Sequence, residues 1–226
     1  MLKLLEHLNS LQQKHPTLSV KQSTKMRSIL KVFEQQRGKL YGQVQKIKNR
    51  IVSLSKPYIR PIVRGKETKT VEFGAKVNVL QVDGINFIEH HSYDAFNEGT
   101  RLQSGIYLHR KLFGKCTHQS ADRIYATNAN RKYCKQHNIA TNFIPKGKQK
   151  LHHLEQSAAL RKTLNIARGT ILKGSFGNEK ENYFLKKIPA LNQTTETSWI
   201  FFGIFTSNVV RMTARISTSQ INTSAA

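Results

Sequence analysis

Residues 70–82 read TVEFGAKVNVLQV; Asp83-Gly84 follows, and then INFIEHHS over residues 85–92. Val71, Phe73, Ala75, Val77 and Val79 alternate with Glu72, Lys76 and Asn78, the period of two expected of a strand with one buried face. Asp-Gly between two such runs favours the left-handed backbone of a two-residue hairpin turn. A β-hairpin is therefore expected over residues 70–92, and the rest of the chain has to be arranged around it.

Before the hairpin, residues 1–50 read as two basic helices separated at His15-Pro16-Thr17, because Pro16 would break a continuous helix and Thr17 or Ser19 could cap the second. Pro57 and Pro61 punctuate an extended crossing. Beyond the hairpin, Leu102, Ile106, Leu108 and Leu112 have helical spacing that stops at Gly114. A short strand-like segment, 118–121, leads into Asp122; residues 128–136 read as a helix and 139–144 as a further strand. A basic KGKQK loop spans 146–150, a long helical region over 155–187 is interrupted near Gly169 and Gly174, and an amphipathic helix covers 196–215. The small polar residues after it read as a disordered tail. The order is that of a mixed α+β, or α/β, layout, most simply one sheet with helices on both faces. Three regions follow: a basic helical segment 1–50, a main domain 51–215 and a tail 216–226.

Charge narrows the partners. The 37 Lys and Arg against 13 Asp and Glu give +24 and point to a polyanion. A membrane surface is the weaker alternative, because the apolar residues of 1–50 suit helices packed on a neighbour and the apolar run 199–210 is short of the roughly 20 residues a span needs. Glu6 and His7 interrupt what would be the apolar part of a secretory signal, so a soluble cytoplasmic protein is expected, with Cys116 and Cys134 as free thiols.

Several chemical motifs fail on spacing. GSFGNEK, residues 174–180, has neither the glycine-to-lysine spacing nor the preceding strand of a phosphate-binding loop. Cys116, His118, Cys134 and His137 have zinc-binding chemistry without the usual paired-cysteine spacing. The pairs His90-His91 and His152-His153 suit solvated or hydrogen-bonding roles. Among the few carboxylates, Asp83 reads as a turn residue and Asp94 as a helix cap, with Glu98 a further candidate. Asp122 stands at a strand end, where α/β folds place functional groups, and equally suits a helix N-cap.

Five blocks carry a resemblance, RIVSLSKPYIRPIVRGK (50–66), VEFGAK (71–76), SYDAFNE (92–98), ADRIYATNANRKYC (121–134) and GSFGNEK (174–180), with WIFFGIFTSNVVRM (199–212) resembling the closing helix of the same family. In that order, over roughly residues 45–215, they resemble the later part of insertion-sequence transposases with a DDE, ribonuclease H-like catalytic domain. The resemblance implies Mg2+-dependent cleavage of DNA at transposon ends and transfer of the freed strand end to target DNA, with metals held by two Asp and one Glu. Asp122 matches the second acid. The strand bearing the first has no counterpart, so Met1 looks like a start within a longer frame and the fold like an incomplete ribonuclease H-like one with a helical N-terminal extension. The third acid would stand immediately before Gly174, where this chain has Lys173.

A protonated lysine offers three donors and no lone pair to a metal. Glu179 and Glu181 lie more than a helical turn away and do not reach the same point. The resemblance therefore implies a DNA transposition protein, truncated and degenerate, whose Mg2+ is not bound productively. The alternative is a non-catalytic DNA-binding or interaction protein that modulates an intact transposase. For DNA contact the basic candidates are Arg60, Arg64, Lys66, Lys146, Lys148, Lys150, Arg161, Lys162, Lys186 and Lys187. Each taken singly is equally a solvated cation serving solubility.

Overall fold

The computed structural model describes residues 2–14, 18–63, 71–147 and 151–224. The chain divides into two units, Met1–Ala75 and Lys76–Ala226. In the first, α1 (Leu2–Lys14) and α2 (Val20–Leu40) are the two expected helices; the expected break at His15-Pro16-Thr17 lies outside the described residues. Ser19 caps α2 through a reciprocal box: its Oγ accepts from Gln22 N at 3.3 Å, and Gln22 Oε1 accepts from Ser19 N at 2.9 Å. Gln35 fastens the returning chain, donating to Asn49 O at 3.2 Å and accepting from Ile51 N at 3.1 Å.

One departure from the sequence reading lies here. The alternating run does not form one strand: Gly74 has φ +131, a conformation side chains resist, and it ends β2 (Val71–Phe73), which pairs antiparallel with β1 (Pro61–Val63).

The second unit opens on the hairpin, β3 (Lys76–Val82) against β4 (Ile85–Ser92). Asp83 (φ 47) and Gly84 (φ 74) are both left-handed, as a two-residue hairpin turn demands. A short 3-10 turn, Glu98–Thr100, follows, capped by Asn97, whose Oδ1 accepts from Gly99 N at 2.9 Å. Asp94 is not the cap; its N–H donates to Ser92 Oγ at 3.0 Å. Gly99 packs so closely that a Cβ would sit 2.6 Å from the Ile124 carbonyl oxygen.

α3 (Leu102–Phe113) stops at Gly114, φ +80, and α4 (Asn128–Gln136) starts at Thr127, whose Oγ1 accepts from Asn130 N at 3.2 Å. β5 (His118–Gln119) and β6 (Ala140–Thr141) are two-residue parallel strands joined through α4. The core sits between them: Leu102 and Ile106 of α3 meet Cys116, Ala121, Cys134, Ile139 and Phe143. The predicted strand over 139–144 shrinks to β6 because the backbone of Phe143 turns onto Thr141 Oγ1 and its ring enters the core.

α5 (Leu151–Ala167) runs through a five-residue π turn, Arg168–Leu172, into α6 (Lys173–Asn182), which ends well short of Lys187. α7 (Gln193–Ser224) continues through residues that composition alone leaves as a polar tail. Layout is thus mixed α and β, but a single sheet covered on both faces does not form: the described strands make three separate two-stranded sheets. No helix among the described residues is long and apolar enough to cross a membrane.

Candidate functional site

Asp122 lies between two anchored neighbours. On one side, the Asn142 amide clamps Ala121, accepting from its N–H at 3.0 Å and donating to its C=O at 2.8 Å. On the other, Tyr125 donates its hydroxyl to buried Asn78 of β3. Asn78 in turn donates to Glu89 Oε2 at 2.8 Å, and Glu89 is gripped by the Arg101 guanidinium. Burial, with Glu98, Glu89 and Asp122 adding to it, pushes the Tyr125 phenol above its ordinary pKa, so the hydroxyl remains a donor. The loop carrying Asp122 is therefore held by polar contacts to elements distant in sequence.

The end of α5 and the π turn that leads to Lys173 dock beside this loop. Ser120 Oγ donates to Leu164 O at 2.9 Å, Asn142 donates to Asn165 Oδ1 at 2.8 Å, and Arg168 forms an ion pair with Asp122 Oδ1. Asp122 occupies the N-cap position of the 3-10 turn Arg123–Tyr125, but its side chain makes no capping bond. The carboxylate goes to Arg168 instead. Arg168 opens the π turn and Lys173 follows it as the exposed first residue of α6. In a regular α-helix residues five apart would diverge by about 140°. The wider π turn brings Lys173 back towards the Arg168 side. A divalent ion at Asp122 would be offered one carboxylate already bonded to a guanidinium.

The conspicuous GSFGNEK block has another role. Ser175 and Glu179 are buried on the side of α6 that meets the hairpin. Ser175 Oγ accepts from Gln81 at 3.0 Å and Asn86 at 3.1 Å, and donates to Leu172 O at 2.8 Å; Asn86 Nδ2 also donates to Glu179 Oε1. Burial raises the Glu179 pKa, against the opposing effects of the Asn86 hydrogen bond and the Arg211 charge. Asn208 of α7 completes the lock, accepting from Asn86 N at 2.9 Å and donating to Asn86 O at 2.7 Å. Sequence reasoning missed this network and Arg168. Its one available signal was polar Asn within the apolar runs INFI and SNVV.

The remaining candidate acids disperse. Asp83 meets Arg215 at 3.1 Å, and Glu98 meets Lys76 at 2.9 Å. Among the described residues no group of three or more His, Cys, Asp or Glu side chains is placed to hold a metal ion. Cys116 and Cys134 lie in the apolar core, where burial raises both thiol pKa values, while His118 and His137 are exposed.

The basic candidates differ in availability. Arg60 donates to the carbonyls of Pro57 and Ile59, at 2.6 and 3.1 Å, and so braces its own turn. Arg161 donates to Ser157 Oγ at 2.7 Å, Lys146 to Asn128 Oδ1 at 2.7 Å, and Lys186 pairs with Glu181 at 2.8 Å. Lys162 and Lys187 are exposed. Arg64, Lys66, Lys148 and Lys150 lie outside the described residues. The first unit adds cations that the sequence reading did not single out: Lys21, Lys25, Arg27, Lys31, Arg37 and Lys39 of α2 are all exposed, against one acid, Glu34, on the same helix.

Comparison of the chain with family models, curated proteins and solved structures finds no match.

Proposed function

We propose that this chain is a DNA-binding protein of the DDE transposase type in which the strand-cleaving centre is not assembled. The observation that carries the reading is the Asp122–Arg168 ion pair at the foot of a helix whose third-acid position is Lys173. Where the family resemblance calls for carboxylates converging on metal, this chain sets one carboxylate against a guanidinium.

The strand arrangement supports the same reading. Among the described residues the strands form three separate two-stranded sheets, and no continuous sheet is present to carry converging carboxylates. The charge of +24 and the exposed cations of α2 support affinity for a polyanion.

Two measurements on the purified, nucleic-acid-free chain test it. In a gel shift, duplex DNA is retained at low salt and released steeply as salt rises. In a nicking assay, supercoiled plasmid with Mg2+ or Mn2+ stays intact. Metal-dependent nicking that Asp122→Asn abolishes would overturn the inactive centre; no retention at low salt would overturn DNA binding.

A further inference from the structure

The turn at Asp83-Gly84 is the one place in the chain where an aspartate precedes a glycine; Asp94 and Asp122 precede Ala95 and Arg123. Glycine matters here because, without a side chain, its backbone nitrogen is open to the carboxyl carbon of the residue before it. The Asp83 side chain is 84% exposed at the tip of the hairpin, so solvent water is at hand.

We infer that Asp83 is a site of isoaspartate formation and that Arg211 and Arg215 of α7 set its rate. In the first step the Gly84 nitrogen attacks Cγ of the protonated Asp83 carboxyl. The nitrogen's proton and the carboxyl hydroxyl leave together as water, and a five-membered succinimide closes. In the second step one water adds to the ring. Opening at the side-chain carbonyl restores aspartate. Opening at the main-chain carbonyl leaves the chain running through Cβ and Cγ, with the old main-chain carbonyl as a carboxylate. The net change is an isomerisation without change of mass or oxidation state.

The two arginines act on the first step. Arg215 donates from Nη2 to the Asp83 carbonyl oxygen at 2.6 Å and pairs through Nη1 with Oδ2 at 3.1 Å, so one guanidinium bridges the side chain and the carbonyl of the same residue. The carboxylate is thereby kept on the oxygen side of the peptide, away from the attacking nitrogen. Arg211 adds a bond from Nη1 to Gly84 O at 2.7 Å, and a Cβ on residue 84 would lie 3.0 Å from that Nη1. Glycine thus both supplies the reactive dipeptide and makes room for the clamp. Arg215 is 46% exposed, and a pair screened by water holds only part of the time, so the clamp slows ring closure without preventing it.

Conversion has a structural effect. Isoaspartate puts one more carbon into a turn whose two residues are both left-handed, and it removes the carbonyl that Arg215 grips. The Val82–Ile85 pair and the anchor of Arg215 on the hairpin loosen together. None of this depends on the proposed DNA-binding function.

Ageing of the full chain at neutral pH and physiological temperature tests the inference, read by isoaspartate-specific methyltransferase labelling and by fragmentation mass spectrometry of the peptide holding residue 83. Isoaspartate accumulates there at unchanged mass, more slowly than in the same chain held in denaturant. Arg215→Ala speeds the native reaction about two- to fivefold, the factor an exposed ion pair is worth, and leaves the rate in denaturant unchanged. Asn208→Ala, which weakens the same helix-to-hairpin contact without touching the clamp, accelerates it less. Asp83→Glu, which would have to close a six-membered ring, acquires no label at this position. A native chain that forms no isoaspartate at residue 83 while the denatured chain does overturns the inference. So does an Arg215→Ala chain that ages at the parent's rate, or no faster than Asn208→Ala.

Discussion

Arg168, the first residue of the π turn, donates from its guanidinium to Oδ1 of Asp122, 46 residues away in sequence. Asp122 is 62% exposed and Arg168 19%, so water screens the pair and its stabilising value is small. Asp122→Asn should change unfolding free energy by less than about 1 kcal/mol in a denaturant titration. The Lys173→Glu substitution alone should yield no Mg2+-dependent plasmid nicking, because Asp122 stays committed to Arg168. Nicking by that variant would show that a usable metal site had been one side chain away.

Asn208 matters more to the fold than its half-buried position suggests. Its amide satisfies both backbone groups of Asn86, and nothing of similar reach replaces it in Asn208→Ala. Leaving a donor and an acceptor unmet in a partly dry site costs about 1–3 kcal/mol. A comparable truncation at exposed Thr206, whose hydroxyl only bonds back to Phe202 O, should leave the denaturation midpoint nearly unchanged.

Glu179 makes stability depend on pH in a defined direction. Its folded pKa is raised, so the native state binds the proton more tightly than the unfolded chain does, and stability from this group is greatest below the ordinary carboxylate range. It is lost as pH climbs through the raised value. Glu179→Gln keeps an acceptor for Asn86 and removes the ionisation. Its melting temperature should exceed the parent's at neutral pH, and the difference should close on acidification. A gap that widens in acid would mean that the carboxylate, not the carboxylic acid, is the form the fold favours.

Both thiols are in the core with raised pKa values, so little thiolate is present near neutrality and reagents have no path to it. Cys116 and Cys134 should resist alkylation in the native chain and react fully once denaturant unfolds it, as mass spectrometry over a time course would record. Rapid native labelling of either would indicate that the core opens on the timescale of the reagent.

Features governed by a few neighbouring residues were legible in the sequence. Asp83-Gly84 marks the hairpin turn, Ser19 starts α2, Gly114 ends α3, and α4 occupies the expected residues 128–136. Gly74 was misjudged because its apolar neighbours keep the strand period while its own backbone leaves the strand region. At the candidate site, Asp122 was legible as a strand-end acid and Lys173 as a cation on a glycine-marked helix. Arg168 was not, since its meaning depends on a helix docking that no local spacing encodes.

By itself the sequence determined the charge, the hairpin turn, the start of α2 and the end of α3. These follow from side-chain chemistry and from backbone preferences that act within a turn or two. Only the tertiary structure decided that the strands stay in three separate pairs, that Ser175 and Glu179 lock α6 to Asn86, and that Asp122 faces a guanidinium. Those contacts join residues 46 to 93 positions apart. They form because buried polar groups must find partners once the helices have packed, a requirement that belongs to the folded chain as a whole.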